Sequence, residues 1–435
     1  MMAGNGAMLI KDGRVIDPGR NIDGVMDVLV KDGVISAVGP GIKEKAEKIV
    51  NVRGLVVAPG FVDMHVHLRE PGQEGKETIA TGTRAAAMGG VTSLACMPNT
   101  VPPLDTVAMI VYLLSRVAAD AVVRVYPIGC LSQERKGEQM ADLAGLLEAG
   151  AVAFSDDGDT LMNSLVAKRA MMNLAELGAP YIEHAEDAHL LDGGAMHDGL
   201  VSLRLGLPGR STLAEDVIVS RDLLLAGATG ARLHIAHLTA PASIDMIRQS
   251  RARGVKVTCE ATPHHLALTD AAVGEYDTMA KVNPPLRDEA CRRALVAAVK
   301  EGVVDVIASD HAPHGELDKD VEFVQAASGV VGLETMLPIC LDVLVAQGGL
   351  SLAALVRLLS TAPAGILGLN AGTIAPGSQA DLAVFDPKAE WTLDARKLTS
   401  KSKNTPFNGR RMTGKVVHTL VGGRFVVRDG ALEQG

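Results

Sequence analysis

The sequence predicts an α/β protein, a (β/α)8 barrel of the TIM type with a small β-sandwich domain built from both chain termini. Residues 58–368 repeat a short apolar strand, a loop and an alanine-rich helix. Eight such units match the number that closes a barrel. Residues 1–57 and 369–435 instead alternate apolar and polar residues around Asp-Gly and Arg-Gly turns, which is typical of antiparallel strands. We therefore expect one central barrel and one composite terminal domain.

The composition excludes several classes of protein. The chain has 435 residues, 47% hydrophobic and 21% charged, which indicates a globular protein with a full core rather than a disordered chain. A net charge of −9 repels phosphate backbones, so no nucleic-acid partner is expected. No uncharged apolar run reaches the roughly 18 residues of a spanning helix, and the first residues lack a signal peptide's apolar core. Five scattered cysteines without a CxxC pair predict reduced thiols in a cytoplasmic protein.

Histidines and aspartates recur where the predicted barrel strands end. His65 and His67 close the first strand, and because alternate residues of a strand share a face, both point into the barrel mouth. The candidates at the ends of the fourth, fifth, sixth and eighth strands are Asp156, Asp157, His184, His237 and Asp310. Barrel active sites form at the carboxyl ends of the strands. Converging imidazoles and carboxylates there predict a metal site of the zinc type.

Alternate residues of a strand point to opposite faces, and this rule separates the other histidines near these strand ends from the candidate ligands. His234 lies three positions before the sixth-strand candidate, so it points to the opposite face, and we interpret it as structural. His311 directly follows the eighth-strand candidate and also faces away. The adjacent pair His264 and His265 stays open between a structural role and support of the site from behind the ligands.

Motifs in a fixed order along nearly the whole chain carry a family resemblance. They include GFVDMHVHLREPG, MPNT, FSDDG, IAHLT, VNPPLR, ASDHAPH and KSKNTPFNGRRMTGKV. On these motifs the chain resembles the cyclic amidohydrolases of the amidohydrolase superfamily, most closely the type I bacterial dihydroorotases. The resemblance implies a zinc-dependent, reversible cyclisation of N-carbamoyl-L-aspartate to L-dihydroorotate in de novo pyrimidine (UMP) biosynthesis. It also implies the barrel with a composite β domain.

The resemblance assigns the strand-end residues to a metal centre. The implied ligands are His65, His67 and Asp310 for a more buried ion, His184 and His237 for a second ion, and Asp157 as the bridge between them. Asp156 is then a neighbour without a role. One or two Zn2+ ions per subunit fit this set, and two are favoured, although manganese or cobalt ligation stays open. Asp310 is also the implied catalytic group, because it would move a proton between water and the leaving ring nitrogen.

The resemblance also implies a set of substrate contacts. They are His67, Arg69, Asn99, Asn283, His314, Ser328 and Gly329. An anionic substrate on a net-negative protein needs a local cation, and the planar guanidinium of Arg69 suits a carboxylate; pairing with a nearby surface glutamate is the alternative. The family usually has a bulkier residue at the position of Ser328. Residues 311–329 are long, charged and poor in helix or strand signals, which fits either a lid or a solvated connection.

Two other functions are weighed against this one. Hydantoinases and allantoinase-like relatives usually bridge their metals with a carboxylated lysine in a K-x-F arrangement, and here that run is Val152-Ala153-Phe154. The second alternative is a dihydroorotase-like scaffold subunit of aspartate transcarbamoylase, but inactive relatives of that kind lose metal-binding histidines that this chain keeps. The partners expected are a small-molecule substrate, a second copy in a homodimer and, as an open alternative, the transcarbamoylase.

Overall fold

The computed structural model describes residues 6–433, and its strands fall into a barrel sheet, a terminal sheet and one short pair. In chain order the strands are β1 Met8–Asp17, β2 Ile22–Lys31, β3 Val34–Gly39, β4 Lys48–Asn51, β5 Val56–Pro59, β6 Phe61–Val66, β7 Val91–Cys96, β8 Arg124–Gly129, β9 Ala153–Phe154, β10 Pro180–Glu183, β11 Met196–His197, β12 Gly209–Arg210, β13 Arg232–Ile235, β14 Val257–Ala261, β15 Val306–Ile307, β16 Leu382–Thr392, β17 Arg411–Val421, β18 Arg424–Arg428 and β19 Ala431–Leu432.

Eight parallel strands form the barrel in the order β6-β7-β8-β9-β10-β13-β14-β15. Every residue of β6, β7 and β10 is buried, as expected for parallel strands that are covered on both faces. The circle closes where His311, just after β15, forms a parallel bridge with Val66, and the His67 backbone N–H donates to the His311 carbonyl over 2.9 Å. The predicted (β/α)8 barrel is confirmed, and each of the eight predicted segments contains a barrel strand.

Helices alternate with these strands and extend beyond them. In chain order the α-helices are α1 Ile79–Met88, α2 Val107–Asp120, α3 Leu143–Glu148, α4 Ser164–Leu177, α5 Leu200–Leu205, α6 Leu213–Thr229, α7 Pro241–Ala252, α8 Pro263–Ala267, α9 Glu289–Lys300, α10 Glu316–Lys319, α11 Met336–Cys340, α12 Leu352–Val356 and α13 Ala362–Leu367. Two π-helical segments, Leu341–Gln347 and Arg357–Thr361, follow α11 and α12. Across residues 6–433, no helix combines the length and the apolarity that crossing a bilayer requires.

Local sequence sets where the barrel helices begin and which face they bury. Thr78 caps α1 and Asp288 caps α9, each by accepting a backbone N–H bond from three residues further on. Each helix then turns an apolar stripe to the sheet, as shown in α4 by the buried residues Val166, Ala170 and Leu174 at four-residue spacing. The barrel core is therefore built from small and branched apolar side chains around the strands.

Strands from both chain ends form one continuous sheet beside the barrel. Its order is β19-β18-β17-β16-β5-β1-β2-β3, with β4 paired to β1. Strand β5 from the N-terminal part pairs antiparallel with β16 from the C-terminal part. Apolar side chains from both parts share a core, among them Ile10, Val28, Leu382 and Leu420. The predicted composite β domain is confirmed as a nine-stranded sheet, while its limits at residues 57 and 368 stay predictions.

Candidate active site

The end of β6 and the end of β15 bring the first predicted group together. His65 and His67 both project into the barrel mouth, as their i, i+2 spacing predicts. Asp310 Oδ1 lies 3.5 Å from His65 Nε2 and 3.2 Å from His67 Nε2. One ligand atom from each of the three side chains lies within 4.8 Å of the others, and all three residues are buried.

Asp157, at the end of the fourth barrel strand, lies at the centre of the predicted cluster. Its Oδ1 is 3.3 Å from His65 Nε2, 3.6 Å from His184 Nδ1 and 3.9 Å from His237 Nε2. Its Oδ2 is 3.6 Å from His67 Nε2. A single carboxylate therefore faces four imidazoles, which is the arrangement that a bridging ligand requires.

His184 and His237 form the second side of the cluster. His184 Nδ1 and His237 Nε2 are 2.8 Å apart, and both side chains are buried. His237 has φ 30°, and Asp310 and Arg69 also have positive φ, at 44° and 61°. Non-glycine residues in the left-handed region are strained, and such strain concentrates at functional sites. The backbone is thus bent at three of the positions that sequence analysis selected.

The residues of this cluster fit a divalent cation. His65 Nε2, Asp157 Oδ1 and His237 Nδ1 are buried and lack a hydrogen-bond partner among the described residues. An unsatisfied buried polar atom is costly, and three in one cluster indicate a common missing partner. His65, Asp157 and His237 also each offer a ligand atom within 4.8 Å of the others. Imidazole and carboxylate donors are the set that zinc prefers in barrels.

The electrostatics of the cluster favour positive charge at its centre. Burial opposes ionisation of Asp157, but the neighbouring imidazoles of His65 and His184 hold the pKa of Asp157 well below its usual range. Burial likewise opposes protonation of His184, yet Asp157 and Glu186 raise its pKa to about 10. Burial and the nearby cations His184 and His65 lower the pKa of His237 to about 3, so this imidazole is neutral. The same field that attracts protons attracts a metal cation.

Glu260 on β14 is a site residue that sequence analysis missed. Its Oε1 accepts a hydrogen bond of 2.6 Å from His65 Nδ1–H, which turns Nε2 towards the cluster. Its Oε2 accepts from His234 Nε2 over 3.2 Å. His234 is therefore not a ligand but braces the carboxylate that orients His65. A buried acid within the apolar strand segment KVTCEATPHH was the available signal.

The remaining candidates outside the cluster make ordinary contacts that hold the site together. Asp156 turns away and accepts hydrogen bonds from the backbone N–H groups of Leu131 and Ser132. His311 faces away from the mouth, with its Nε2 3.3 Å from Glu77. His265 donates from Nε2 to the Pro284 carbonyl over 2.9 Å, beside Asn283, so it supports the site from behind.

A cavity of about 200 Å³ lies next to the cluster. Its lining includes each predicted substrate contact: His67, Arg69, Asn99, Asn283, His314, Ser328 and Gly329. Arg69 is only 8% exposed, donates from Nε to the Pro313 carbonyl over 3.2 Å, and has a pKa lowered to about 10 by burial. It is therefore a buried cation on the cavity wall rather than a surface arginine paired with a glutamate. The cavity is the size of a small ring compound.

Two asparagines connect the cavity to the cluster of candidate metal ligands. Asn99 Oδ1 accepts from His67 Nδ1 over 2.9 Å, and Asn283 Nδ2 lies 3.2 Å from His184 Nε2. Arg210 contacts both Asn283 and Glu186, and Glu186 Oε2 lies 3.2 Å from His184 Nε2. Sequence analysis assigned no role to Arg210 or Glu186, although Glu186 lies two positions after His184 in the run IEHAED, which was the available signal.

The segment 311–329 is packed onto the barrel instead of being a purely solvated connection. It contains α10, and its side chains Lys319, Phe323 and Ala326 are buried. Phe323 belongs to an apolar cluster with Val282. Whether the segment moves as a lid stays a prediction.

Comparison with known proteins gives relatives over the whole chain. The profile of the dihydro-orotase-like family matches residues 54–243, and that of the amidohydrolase family matches residues 235–427. The dihydroorotase of Geobacter sp. (strain M21) is 49% identical over 97% of this chain and 100% of its own length. The dihydroorotase of Acetivibrio thermocellus is 45% identical over 98% of this chain and 100% of its own length.

Solved structures with the same architecture are more distant in sequence. The L-hydantoinase (dihydropyrimidinase) from Arthrobacter aurescens superposes with a TM-score of 0.90 at 26% identity, covering 98% of this chain and 97% of that one. The dihydropyrimidinase from Brevibacillus agri NCHU1002 gives 0.86 at 25% identity, covering 98% and 96%. The hydantoinase structures are similar to this chain mainly in fold, whereas the relatives named dihydroorotase are also similar in sequence, at 45–49% identity.

Proposed function

Since the chain belongs to the dihydroorotase family of the amidohydrolases, it is a metal-dependent hydrolase of cyclic amides, and we propose that it interconverts L-dihydroorotate and N-carbamoyl-L-aspartate at the site described above. The observation that carries the proposal is the convergence of six candidate metal ligands beside a cavity with a buried arginine. Dihydroorotate is a small cyclic amide with one carboxylate, so it needs both a centre that activates water and a cation that binds the carboxylate.

We assign the ligands as follows: His65, His67 and Asp310 to one ion, His184 and His237 to a second, and Asp157 to both. Zinc is the metal that we propose, with two ions per subunit. When bound, such ions polarise the amide carbonyl and lower the pKa of water to about 7. Hydrolysis of a ring amide is slow without both effects.

Asp310 is the group that we propose to move the proton. Neighbouring imidazoles, His65 and His67 first, outweigh the effect of burial and keep the pKa of Asp310 far below its usual range, so the carboxylate is ionised before the proton transfer. It takes a proton from water as the carbonyl carbon is attacked and returns it to the ring nitrogen that leaves. In the biosynthetic direction the same group performs these steps in reverse.

Arg69 is the group that we propose to bind the substrate carboxylate. Its guanidinium lies on the cavity wall with His314 Nε2 3.3 Å from Nη2. The bond from its Nε to the Pro313 carbonyl fixes the plane of the fork. A bidentate contact to this buried guanidinium contributes more to the binding free energy of the carboxylate than an exposed ion pair would.

We expect Arg69→Met to raise the KM for L-dihydroorotate by about tenfold or more, because a charge-assisted hydrogen bond to the carboxylate is lost. Metal content should stay at the wild-type level, since Arg69 is not a ligand. Steady-state kinetics and metal analysis check both points. Arg84→Met, which removes an exposed arginine from α1, is the matched control. An unchanged KM in Arg69→Met would remove Arg69 from the binding site.

The experiment that tests the function follows the ultraviolet absorbance of L-dihydroorotate with zinc-loaded protein. We expect ring opening that a chelator abolishes and that added zinc restores. Parallel assays with hydantoins examine the alternative activity. Faster turnover of a hydantoin than of dihydroorotate, or folded and metal-loaded protein that turns over neither, would refute the proposal.

Two features favour the proposed activity over a hydantoinase. The position of the bridging lysine is occupied by Val152, whereas Asp157 lies where a bridge is needed. The relatives named dihydroorotase are far more similar in sequence than the hydantoinases. We also propose a role in pyrimidine biosynthesis and a cytoplasmic location. The homodimer and the transcarbamoylase partner stay predictions.

A further inference from the structure

A lysine is buried in the segment that ends with Ser328 and Gly329, two adjacent residues of the cavity lining that are called the Ser328–Gly329 pair below. Lys319, at the end of α10, is 1% exposed. Its Nζ lies 2.7 Å from the Ala327 carbonyl, 3.0 Å from the Thr278 carbonyl and 3.2 Å from the Lys281 carbonyl. An ammonium group has three N–H donors, and each of them has one carbonyl acceptor here. No carboxylate oxygen takes part in these bonds.

The three carbonyls belong to two separate stretches of chain. Ala327 directly precedes Ser328 and Gly329, whereas Thr278 and Lys281 precede Asn283, and all three of Asn283, Ser328 and Gly329 line the cavity. Lys319 therefore joins the two stretches through one side chain. Bonds in the other direction reinforce the junction, because the Thr278 hydroxyl donates to the Lys319 carbonyl over 2.6 Å.

Further bonds show that the junction reaches the cavity wall itself. The Gly329 N–H donates to the Lys281 carbonyl over 2.9 Å, so this carbonyl accepts from both Gly329 and Lys319. Gly329 has φ 141°, and a Cβ there would lie 2.6 Å from Ala312 Cβ, so this position requires glycine. The Ser328 carbonyl accepts from His314 Nε2 over 2.9 Å.

The position of this ammonium is electrostatically unfavourable. Burial and the neighbouring Lys281 ammonium lower the pKa of Lys319 to about 7, against the attraction of Asp277 and Asp318. An unbranched apolar side chain such as methionine would fill a similar volume without burying a charge. What such a side chain cannot supply is three directional bonds, and buried polar groups of this kind specify one arrangement among several.

We propose that Lys319 is a positioning residue, which fixes the Ser328–Gly329 pair relative to Asn283 and so shapes the substrate side of the cavity. The inference rests on the proposed function, because it concerns binding of the cyclic amide at the same site. Lys319 touches neither the metal cluster nor the cavity lining. Removal of the Lys319 ammonium therefore affects substrate binding through the Ser328–Gly329 pair. The proposed metal ligands and the proton-transfer group Asp310 keep their positions.

The test compares Lys319→Met with wild type in the zinc-loaded enzyme. We expect the KM for L-dihydroorotate to rise about tenfold while kcat stays within about threefold, since misplaced binding groups weaken substrate positioning. Metal content should not change. The matched control is Lys300→Met, which removes an exposed lysine at the end of α9.

A second measurement does not depend on activity. Hydrogen exchange of the Gly329 amide should be about tenfold faster in Lys319→Met, because the carbonyl that accepts its bond is no longer held. The same amide in Lys300→Met should exchange as in wild type. A KM within twofold of wild type together with unchanged Gly329 exchange would overturn the inference. A loss of kcat and of bound metal would also overturn it, because Lys319 would then support folding alone.

Failure of the proposed function and failure of the Lys319 inference give different results. Wild-type protein that does not turn over dihydroorotate refutes the proposed function, whereas wild-type turnover with an unchanged KM in the variant refutes only the role of Lys319. If Lys319→Met does not fold, Lys319→Arg is measured instead, because it keeps the cation but changes the geometry of its donors. A raised KM in Lys319→Arg supports the inference, and a wild-type KM overturns it.

Discussion

Asp310→Asn is expected to lower the rate of dihydroorotate hydrolysis by about 10²-fold or more, because the amide cannot accept the proton from attacking water. Asparagine has nearly the same shape, so the cavity and the fold should persist. Asp310 Oδ1 lies 3.2 Å from His67 Nε2 and 3.5 Å from His65 Nε2 in a buried cluster, and no other described carboxylate except Asp157 lies as near to both imidazoles. The loss should appear in kcat, measured with saturating substrate.

Metal analysis must accompany this measurement, because Asp310 is also a proposed ligand. The rate is therefore compared at equal bound zinc, after titration of the variant with excess metal. Asp320→Asn is the matched control, since it makes the same change at an exposed carboxylate ten positions along the chain. A rate within tenfold of wild type at full occupancy would exclude Asp310 from proton transfer.

His65→Ala is expected to lose both bound metal and activity. His65 is a proposed ligand of the first ion and lies 3.3 Å from Asp157, the proposed ligand of both ions, so its removal weakens the first site most. We expect bound zinc to fall to about half of wild type or less, and the rate by at least about 10²-fold, because activation of water and carbonyl is worth several kcal/mol.

The matched control for this prediction is His189→Ala, which removes an exposed histidine. Zinc content is measured after gel filtration without free metal, and circular dichroism verifies that the variant is folded. Wild-type zinc content in folded His65→Ala would contradict the ligand assignment, whatever the rate.

The positions of the strand-end residues could be predicted because two general rules apply to them. Side chains alternate along a strand, and the carboxyl ends of all barrel strands meet at one mouth. Once β6 is a barrel strand, His65 and His67 must share a face, and the carboxyl ends of all eight strands meet at one mouth. The structure places His184, His237 and Asp310 in this mouth without any further assumption.

The supporting residues could not be predicted in the same way. Glu260 acts through His65, which is far away in sequence, and only the register between β13 and β14 and the closure of the barrel bring the two together. The positions of Arg210 and Glu186 beside His184 likewise result from tertiary contacts between loops. Lys319 lies in a charged segment, where a lysine is normally solvated, and only the fold of 278–329 reveals that it is buried.

The pairing of β5 with β16 has a consequence for synthesis of the chain on the ribosome. Residues that form the barrel, from Phe61 to His311, are complete well before Leu382 emerges. Until then the edge of β5 that pairs with β16 has no partner, for on the order of tens of seconds at the usual elongation rates of protein synthesis. An open edge of this kind is prone to pair with another nascent chain. The barrel strands are thus made early, while β16, which is made later, determines whether the edge of β5 is protected from aggregation.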